Sequence, residues 1–250
     1  YEEAKKLDPR RLRSYASNSL TRMPEKDVSA LMDFVEWNEY YESWYKGTPE
    51  DMRRNLEEIH RAFPDKTIVI SEYGYCACTA ERPEGDAARA RILRDHDRVF
   101  REHSHVGGLI FFCYNDYRTH IGDRGKGVMK QRVHGVVNVY GERKPSYEEL
   151  RAESSPVEEF TVTGDPGRVT VRIRTRASVP SHTLRGYKLR AVVYGNGNIP
   201  LERVEVALPD LAPGARTQSG IKFDEKAAVS VRCDIIRPTG FSMLSAVWKP

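Results

Sequence analysis

The stretch TIVISEYGY, residues 67–75, runs from residues of buried-strand character into a carboxylate, Glu72, at the point where that strand should end. Two other apolar runs close on related groups: Asn38, Glu39, Tyr40 and Tyr41 end one, and Asn115 and Asp116 end another. In parallel α/β folds the core stops at the carboxyl ends of the strands and the loops there form a cleft, so chemistry is expected at these positions. Aromatic rings beside carboxylates and amides suit a sugar, because rings cover its C–H faces while the polar groups hold its hydroxyls. Position alone leaves a second reading of Glu72 open, a strand-end glutamate held in a structural salt bridge.

Such side chains need elements to position them. Strands are expected at RLRSYAS (11–17), DFVEWNEYY (33–41), KTIVISEYG (66–74) and VGGLIFFCYND (106–116). A helix is expected from Thr48 to Phe63, with Thr48 as N-cap, Pro49 at the first helical position and acids in the first turn. Further helices are expected over 84–103, with Ala88, Ile92, Val99 and Phe100 on its apolar face, and over 145–153. Alternating strands and helices, with continuous apolar runs in the strands, argue for a parallel sheet covered by helices. An open doubly wound sheet is one solution, although no Gly-rich phosphate fingerprint follows a strand. A (β/α)8 barrel takes roughly 250 residues by itself, so on that reading the segment is the second half of one.

From Val157 the pattern changes to seven short alternating segments separated by Gly, Pro and Asp, which reads as an immunoglobulin-like β-sandwich. The expected fold class is therefore α/β followed by all-β, with domains over residues 1–153 and 157–250. RVTVRIRTR places Val169, Val171 and Ile173 on one face and Arg172, Arg174 and Arg176 on the other; a basic ligand-binding face is one reading, and a solvated outer face, which strand alternation alone produces, is the favoured one.

ISEYG at 70–74 resembles the nucleophile segment of glycoside hydrolase family 2, the family of β-galactosidases, β-glucuronidases and β-mannosidases. LDPRRLRSYASNS, WNEYYESWY and VGGLIFFCYNDYRT resemble, in order, the family's segments at the fifth, sixth and eighth barrel strands, and GERKPSYEELR resembles the end of the barrel. The resemblance covers residues 1 to 153 and implies a retaining exo-acting β-glycosidase in which Glu72 forms the glycosyl-enzyme. Retaining enzymes need two carboxyl groups roughly 5 to 5.5 Å apart. The family's acid/base glutamate belongs to the fourth strand, upstream of Tyr1, so the expected partner is the amino-terminal part of the same enzyme. Asn38-Glu39 imitates that Asn-Glu pair, but Glu39 precedes Glu72 by room for one βα unit, where strands four and seven are three apart; Glu39 is therefore assigned to the sixth strand. Asn38 and Tyr40 match positions lining the glycone site, with Tyr40 expected to bond near the nucleophile. Tyr41, Trp44, Tyr73, Phe112 and Asp116 complete the expected substrate-binding set. Phe112 stands where many relatives have tryptophan, and HGVV (134–137) occupies the place of the Asn-x-Lys that meets a glucuronide carboxylate, so β-galactoside and β-glucuronide both stay open. His120, Asp123, Arg118, Arg124 and Lys126 sit in the long loop beside this region.

The composition is that of a globular chain with a polar surface: 39% hydrophobic and 30% charged residues, with a mean hydropathy of -0.61. Charges of both signs are mixed, 40 basic and 36 acidic, so neither nucleic acid nor membrane is an expected partner. Cys76, Cys78, Cys113 and Cys233 follow no metal or redox spacing, the histidines are scattered, and no G-x-S-x-G elbow occurs, so neither metal, cofactor nor acyl-hydrolase chemistry is expected. The lack of an initiator methionine and of a signal-like segment suggests a chain cut from a longer one and leaves the compartment open, as is self-association. The alternative function from another class is a noncatalytic carbohydrate-binding or interaction module, in which Glu72→Gln would change nothing.

Overall fold

The computed structural model describes residues 1–17, 19–76, 84–125, 128–224 and 228–250. The chain divides into two compact units, Tyr1–Ser154 and Ser155–Pro250.

The first unit is built on a parallel sheet in the order β1-β2-β3-β4, formed by Ala16–Ser17 (β1), Val35–Glu39 (β2), Ile68–Tyr73 (β3) and Val106–Phe111 (β4). Helices α1 (Glu2–Leu7), α2 (Pro49–Ala62), α3 (Glu84–Arg101) and α4 (Ser146–Glu153) accompany it. At α2 the Thr48 side chain accepts from Asp51 N while Asp51 reaches back to Thr48 N, a reciprocal cap that places the helix start where the sequence does. Met52, Leu56 and Ile59 bury its apolar stripe. Between β4 and α4 an antiparallel hairpin, β5 (Tyr117–Gly125) and β6 (Val128–Arg132), stands where the sequence suggests only a loop.

Two expected strands are shorter than anticipated. The 11–17 segment keeps only a two-residue ladder, because its polar side chains bond Asp27 instead. Tyr15 Oη donates to Oδ1 of Asp27, Ser17 and Ser19 donate to Oδ2 at 2.7 Å each, and the Ser29 amide donates to Oδ1 at 2.9 Å. Burial acts to raise the Asp27 pKa, but these bonds outweigh it and hold the carboxyl below the usual range. The 106–116 run leaves the sheet after Phe111, and Asp116 turns back to meet Lys144 at 2.7 Å and the Gly135 amide at 2.9 Å. Gly135 is required there: a Cβ would lie 2.2 Å from Asn115 C and Asp116 N.

The α3 helix buries more charge than its apolar face suggests. Ile92, Leu93, Val99 and Phe100 are fully buried, and so are Arg89 and His96. The Arg89 guanidinium donates to the carbonyls of Tyr75 (3.3 Å) and Val133 (2.7 Å) and pairs with Asp86, whose carboxylate also accepts the Ser146 amide and hydroxyl. One buried cation thus ties the end of β3 to the segment after β6 and, through Asp86, to the start of α4.

The second unit holds a four-stranded antiparallel sheet, β10-β9-β12-β13, and a three-stranded one, β11-β8-β7. Its strands are β7 (Val157–Asp165), β8 (Arg168–Thr175), β9 (Lys188–Tyr194), β10 (Pro200–Ala207), β11 (Arg216–Lys222), β12 (Ser230–Ile236) and β13 (Ser242–Trp248). Val169, Val171 and Ile173 from β8 meet Leu189, Ala191 and Val193 from β9 and Val231, Cys233 and Ile235 from β12 in one apolar core. Burying each branched side chain contributes about 1.5 to 3 kcal/mol, and together they drive the two sheets face to face as a β-sandwich.

Candidate functional site

Strand pleat decides which strand-end groups can act together. Neighbouring residues point to opposite faces, so Asn38 and Tyr40 share a side that Glu39 does not, and Glu72 shares none with Tyr73. Ladder register sets Asn38 beside Glu72 on the adjacent strand. Tyr40 Oη donates to Oε2 of Glu72 at 2.6 Å, a short charge-assisted bond that fixes the carboxylate. Burial, followed by the Glu72 carboxylate itself, pushes the Tyr40 phenol above its ordinary pKa, so it remains a proton donor throughout the physiological range. The Ser71 hydroxyl donates to the Asn38 side-chain oxygen at 2.7 Å, which leaves the Asn38 amide nitrogen as a donor for a hydroxyl.

A ring cluster flanks this pair. The half-exposed Trp44 meets Tyr40 edge-on (6.2 Å between centroids) and His134 at 5.6 Å. His134 in turn meets Phe112 at 5.7 Å and Tyr117 at 5.8 Å, and the Arg132 guanidinium lies 5.4 Å from the Trp44 ring centre. Beside Asn38 a cleft of about 290 Å³ is lined by Trp37, Tyr41, Tyr45, Arg22 and Lys46. Tyr41 is held in its wall by the Asn55 amide of α2.

The structure therefore brings Glu72, Asn38, Tyr40, Tyr41, Trp44 and Phe112 to one end of the sheet. Two expected members are placed otherwise. Tyr73 is 2% exposed, packs edge-on against Phe100 and Phe111, and faces Asp97 in the layer under α3, because the residue after Glu72 must point away from it. Burial raises the Asp97 carboxyl to about 7 despite its bond from Tyr73. Asp116 is 6% exposed, and its Oδ1 takes both Lys144 at 2.7 Å and the Gly135 amide at 2.9 Å, so it is turned into the segment after β6. Burial likewise pulls the Lys144 ammonium below its usual pKa.

Glu39 is fully buried with Oε2 2.7 Å from Nδ1 of His96, also fully buried, so it presents no carboxyl to the side where Glu72 stands. Tyr117, which meets Phe112 and His134, and Arg132, which meets Trp44, come from the β5–β6 hairpin, for which no periodic signal exists, whereas His134 lies in the HGVV segment beyond it. Of the loop residues considered, Arg118 is exposed, while the side chains of His120, Asp123 and Arg124 and the whole of Lys126 lie outside the described residues, as does Cys78.

No protein-family model matches the chain. A β-glucuronidase of Bacteroides fragilis is 34% identical over 71 residues, which is 28% of this chain and 9% of that protein. A glycoside hydrolase family 2 β-galacturonidase from Eisenbergiella tayi, solved with galacturonate, matches at a TM-score of 0.50 with 20% identity, covering 61% of this chain and 28% of its own. β-Glucuronidase 2 of Bacteroides uniformis, solved covalently bound to cyclophellitol-6-carboxylate aziridine, matches at 0.51 with 16% identity over 98% of this chain and 29% of its own. The chain thus spans less than a third of the length of each of these relatives. The sequence match is to a β-glucuronidase over a short segment, and the structural matches share the fold of a β-glucuronidase and a β-galacturonidase.

Proposed function

We propose, from this kinship with glycoside hydrolase family 2, that the chain is the carboxyl-terminal half of a (β/α)8 barrel followed by an immunoglobulin-like sandwich, and forms part of a retaining exo-acting β-glycosidase. Glu72 is the nucleophile that attacks the anomeric carbon, expelling the aglycone and forming a glycosyl-enzyme that water then hydrolyses. The observation that carries this reading is the 2.6 Å bond from Tyr40 to Glu72. A structural glutamate at a strand end would be expected to bind a cation, whereas this one is oriented by a neutral donor among amide and ring groups suited to a sugar. The covalent aziridine adduct of the Bacteroides uniformis enzyme is in keeping with a nucleophilic mechanism in this fold.

Each residue near the site has a defined task on this reading. Tyr40 holds one carboxylate oxygen so that the other is aimed at the sugar, and its hydrogen bond stabilises the negative charge that returns to Glu72 as the glycosyl–oxygen bond breaks. Asn38 donates to a glycone hydroxyl, and Trp44 and Phe112 cover apolar ring faces. Tyr41, with the cleft beside Asn38, bounds the pocket. The acid that protonates the leaving oxygen comes from the amino-terminal half of the barrel, since Glu39 is sequestered. The substrate is a terminal β-linked galactoside or glucuronide.

Covalent trapping tests this. A panel of 2-deoxy-2-fluoro-β-glycosyl fluorides should label Glu72 in peptide maps, because fluoride departs with little acid assistance, and the reactive panel member identifies the sugar. Labelling of another residue, or no label even after the upstream half is joined to this chain, would refute the assignment.

A further inference from the structure

The outer face of the β7–β8–β11 sheet carries charge in an arrangement that the sheet itself disfavours. Cross-strand register sets Arg216 directly opposite Arg174 and Lys222 directly opposite Arg168. Like charges so placed repel at a Cβ separation of about 5 Å, and they destabilise a ladder unless a counter-charge lies between them. Among the described residues the ion pairs at this face are those of Arg174 with Glu158 (3.3 Å) and Glu159 (3.2 Å). Arg172 has only the neutral Gln218 oxygen at 3.3 Å. A shallow depression of about 550 Å³ opens over Arg172, Arg174, Arg216, Thr217 and Gln218, with Glu159, the partner of Arg174, in its wall. Arg168 is also positioned: a Cβ on Gly220 would lie 2.8 Å from its guanidinium nitrogen, so glycine is what lets that group lie across the β11 backbone.

We propose that this face is a binding site for an anionic polysaccharide, one bearing sulfate or carboxylate groups. Planar guanidinium groups match the bidentate geometry of sulfate and carboxylate, and among the described residues no carboxylate pairs with Arg172 or Arg216, so a bound anion supplies the counter-charge that these two lack. Thr161 and Thr170, with Gln218, supply hydroxyl and amide partners for sugar hydroxyls along the same face. Among the described residues the face carries no aromatic ring, and so no stacking platform of the kind that single-stranded nucleic acid uses. The site lies within the second unit and stands whether or not Glu72 is a nucleophile.

The test is calorimetric titration of the 250-residue chain with dextran sulfate and with polygalacturonate, using uncharged dextran as the neutral control. Binding of either anionic polymer, weakened by salt and absent for dextran, is expected; the tighter of the two identifies the charged group. The double variant Arg172→Gln, Arg216→Gln should bind about tenfold more weakly, the combined effect of two modest exposed charge contacts. Both residues are exposed, and an unchanged thermal midpoint checks that the fold is kept. Arg185→Gln, which removes an exposed cation paired with Asp210 elsewhere in the unit, should bind as the parent does. The proposal is overturned if the double variant binds equally well, if Arg185→Gln weakens binding to the same degree, or if a single-stranded oligonucleotide binds as tightly as the anionic polysaccharides.

Discussion

Replacing Tyr40 by phenylalanine removes one oxygen and keeps the ring that meets Trp44 edge-on, so the change isolates the 2.6 Å bond to Glu72. Hydrogen bonds to a charged acceptor are worth about 1.5 to 3 kcal/mol. The two chemical steps should feel this loss differently. As the glycosyl-enzyme forms, Glu72 gives up negative charge, so losing the donor makes the carboxylate intrinsically more nucleophilic while also releasing its orientation; these effects oppose each other. As the intermediate breaks, charge returns to Glu72 and the donor stabilises the departing carboxylate, so both effects act in the same direction. Turnover of the trapped intermediate should therefore slow by roughly 10 to 150-fold, with a smaller change in its formation. Intact-mass spectrometry of the labelled fraction, following formation and then decay after excess reagent is removed, separates the rates in a protein that includes the upstream half-barrel. A Tyr40→Phe intermediate that decays at the parental rate would show that the bond serves only packing, and the assignment of Tyr40 would fail.

Other perturbations read the scaffold. Arg89→Met leaves the Asp86 carboxylate and two carbonyls without their cation, and should cost about 3 to 5 kcal/mol in urea unfolding; a loss under 1 kcal/mol would mean that water replaces the guanidinium. Gly135→Ala drives a Cβ into the Asn115 and Asp116 backbone and should cost about 3 kcal/mol or more, read as a fall in unfolding midpoint. His105 makes one acid-sensitive contribution to stability. Burial, then the neighbouring His60 and His103, hold His105 at about 4, below its ordinary 6.5, so the unfolded chain binds more protons between those values. His105 therefore subtracts stability as pH drops from about 6.5 towards 4, while Asp97, held at about 7, adds stability over the same range, so His105→Gln should shift the net slope towards greater stability at low pH. An unchanged slope in the variant would assign the acid sensitivity elsewhere.

Much of this architecture is written in local pattern. The Thr48 cap, the apolar runs of β2 to β4 and the alternation of all seven sandwich strands are each decided by residues within a few positions of one another. Glu72, Asn38 and Tyr40 are legible for the same reason, since strand ends and pleat place them. Pleat also argues against Tyr73 as a partner of Glu72, and its aromatic character in a sugar-like context hides that parity. What local pattern cannot supply is burial of charge. Arg89, His96, Asp97 and Asp116 look like surface residues until Tyr75, Glu39, Tyr73 and Lys144 arrive from elsewhere in the chain. The β5–β6 hairpin is polar and glycine-containing, so neither period marks it, and the contact of its Arg132 with Trp44 is invisible beforehand.

The Arg89 tie also constrains the time course of folding. Its contact with the Tyr75 carbonyl spans 14 residues, that with Val133 spans 44, and the bond from Ser146 to Asp86 spans 60. Loop closure over 60 residues costs ~1.3 kcal/mol more than over 14, by the logarithmic growth of chain entropy with length. The end of β3 can therefore be clamped to α3 before α4 has docked, and Arg89 waits with part of its bonding unmade. Docking of α4 should register as a late kinetic phase, whereas the backbone just beyond Glu72 becomes ordered early.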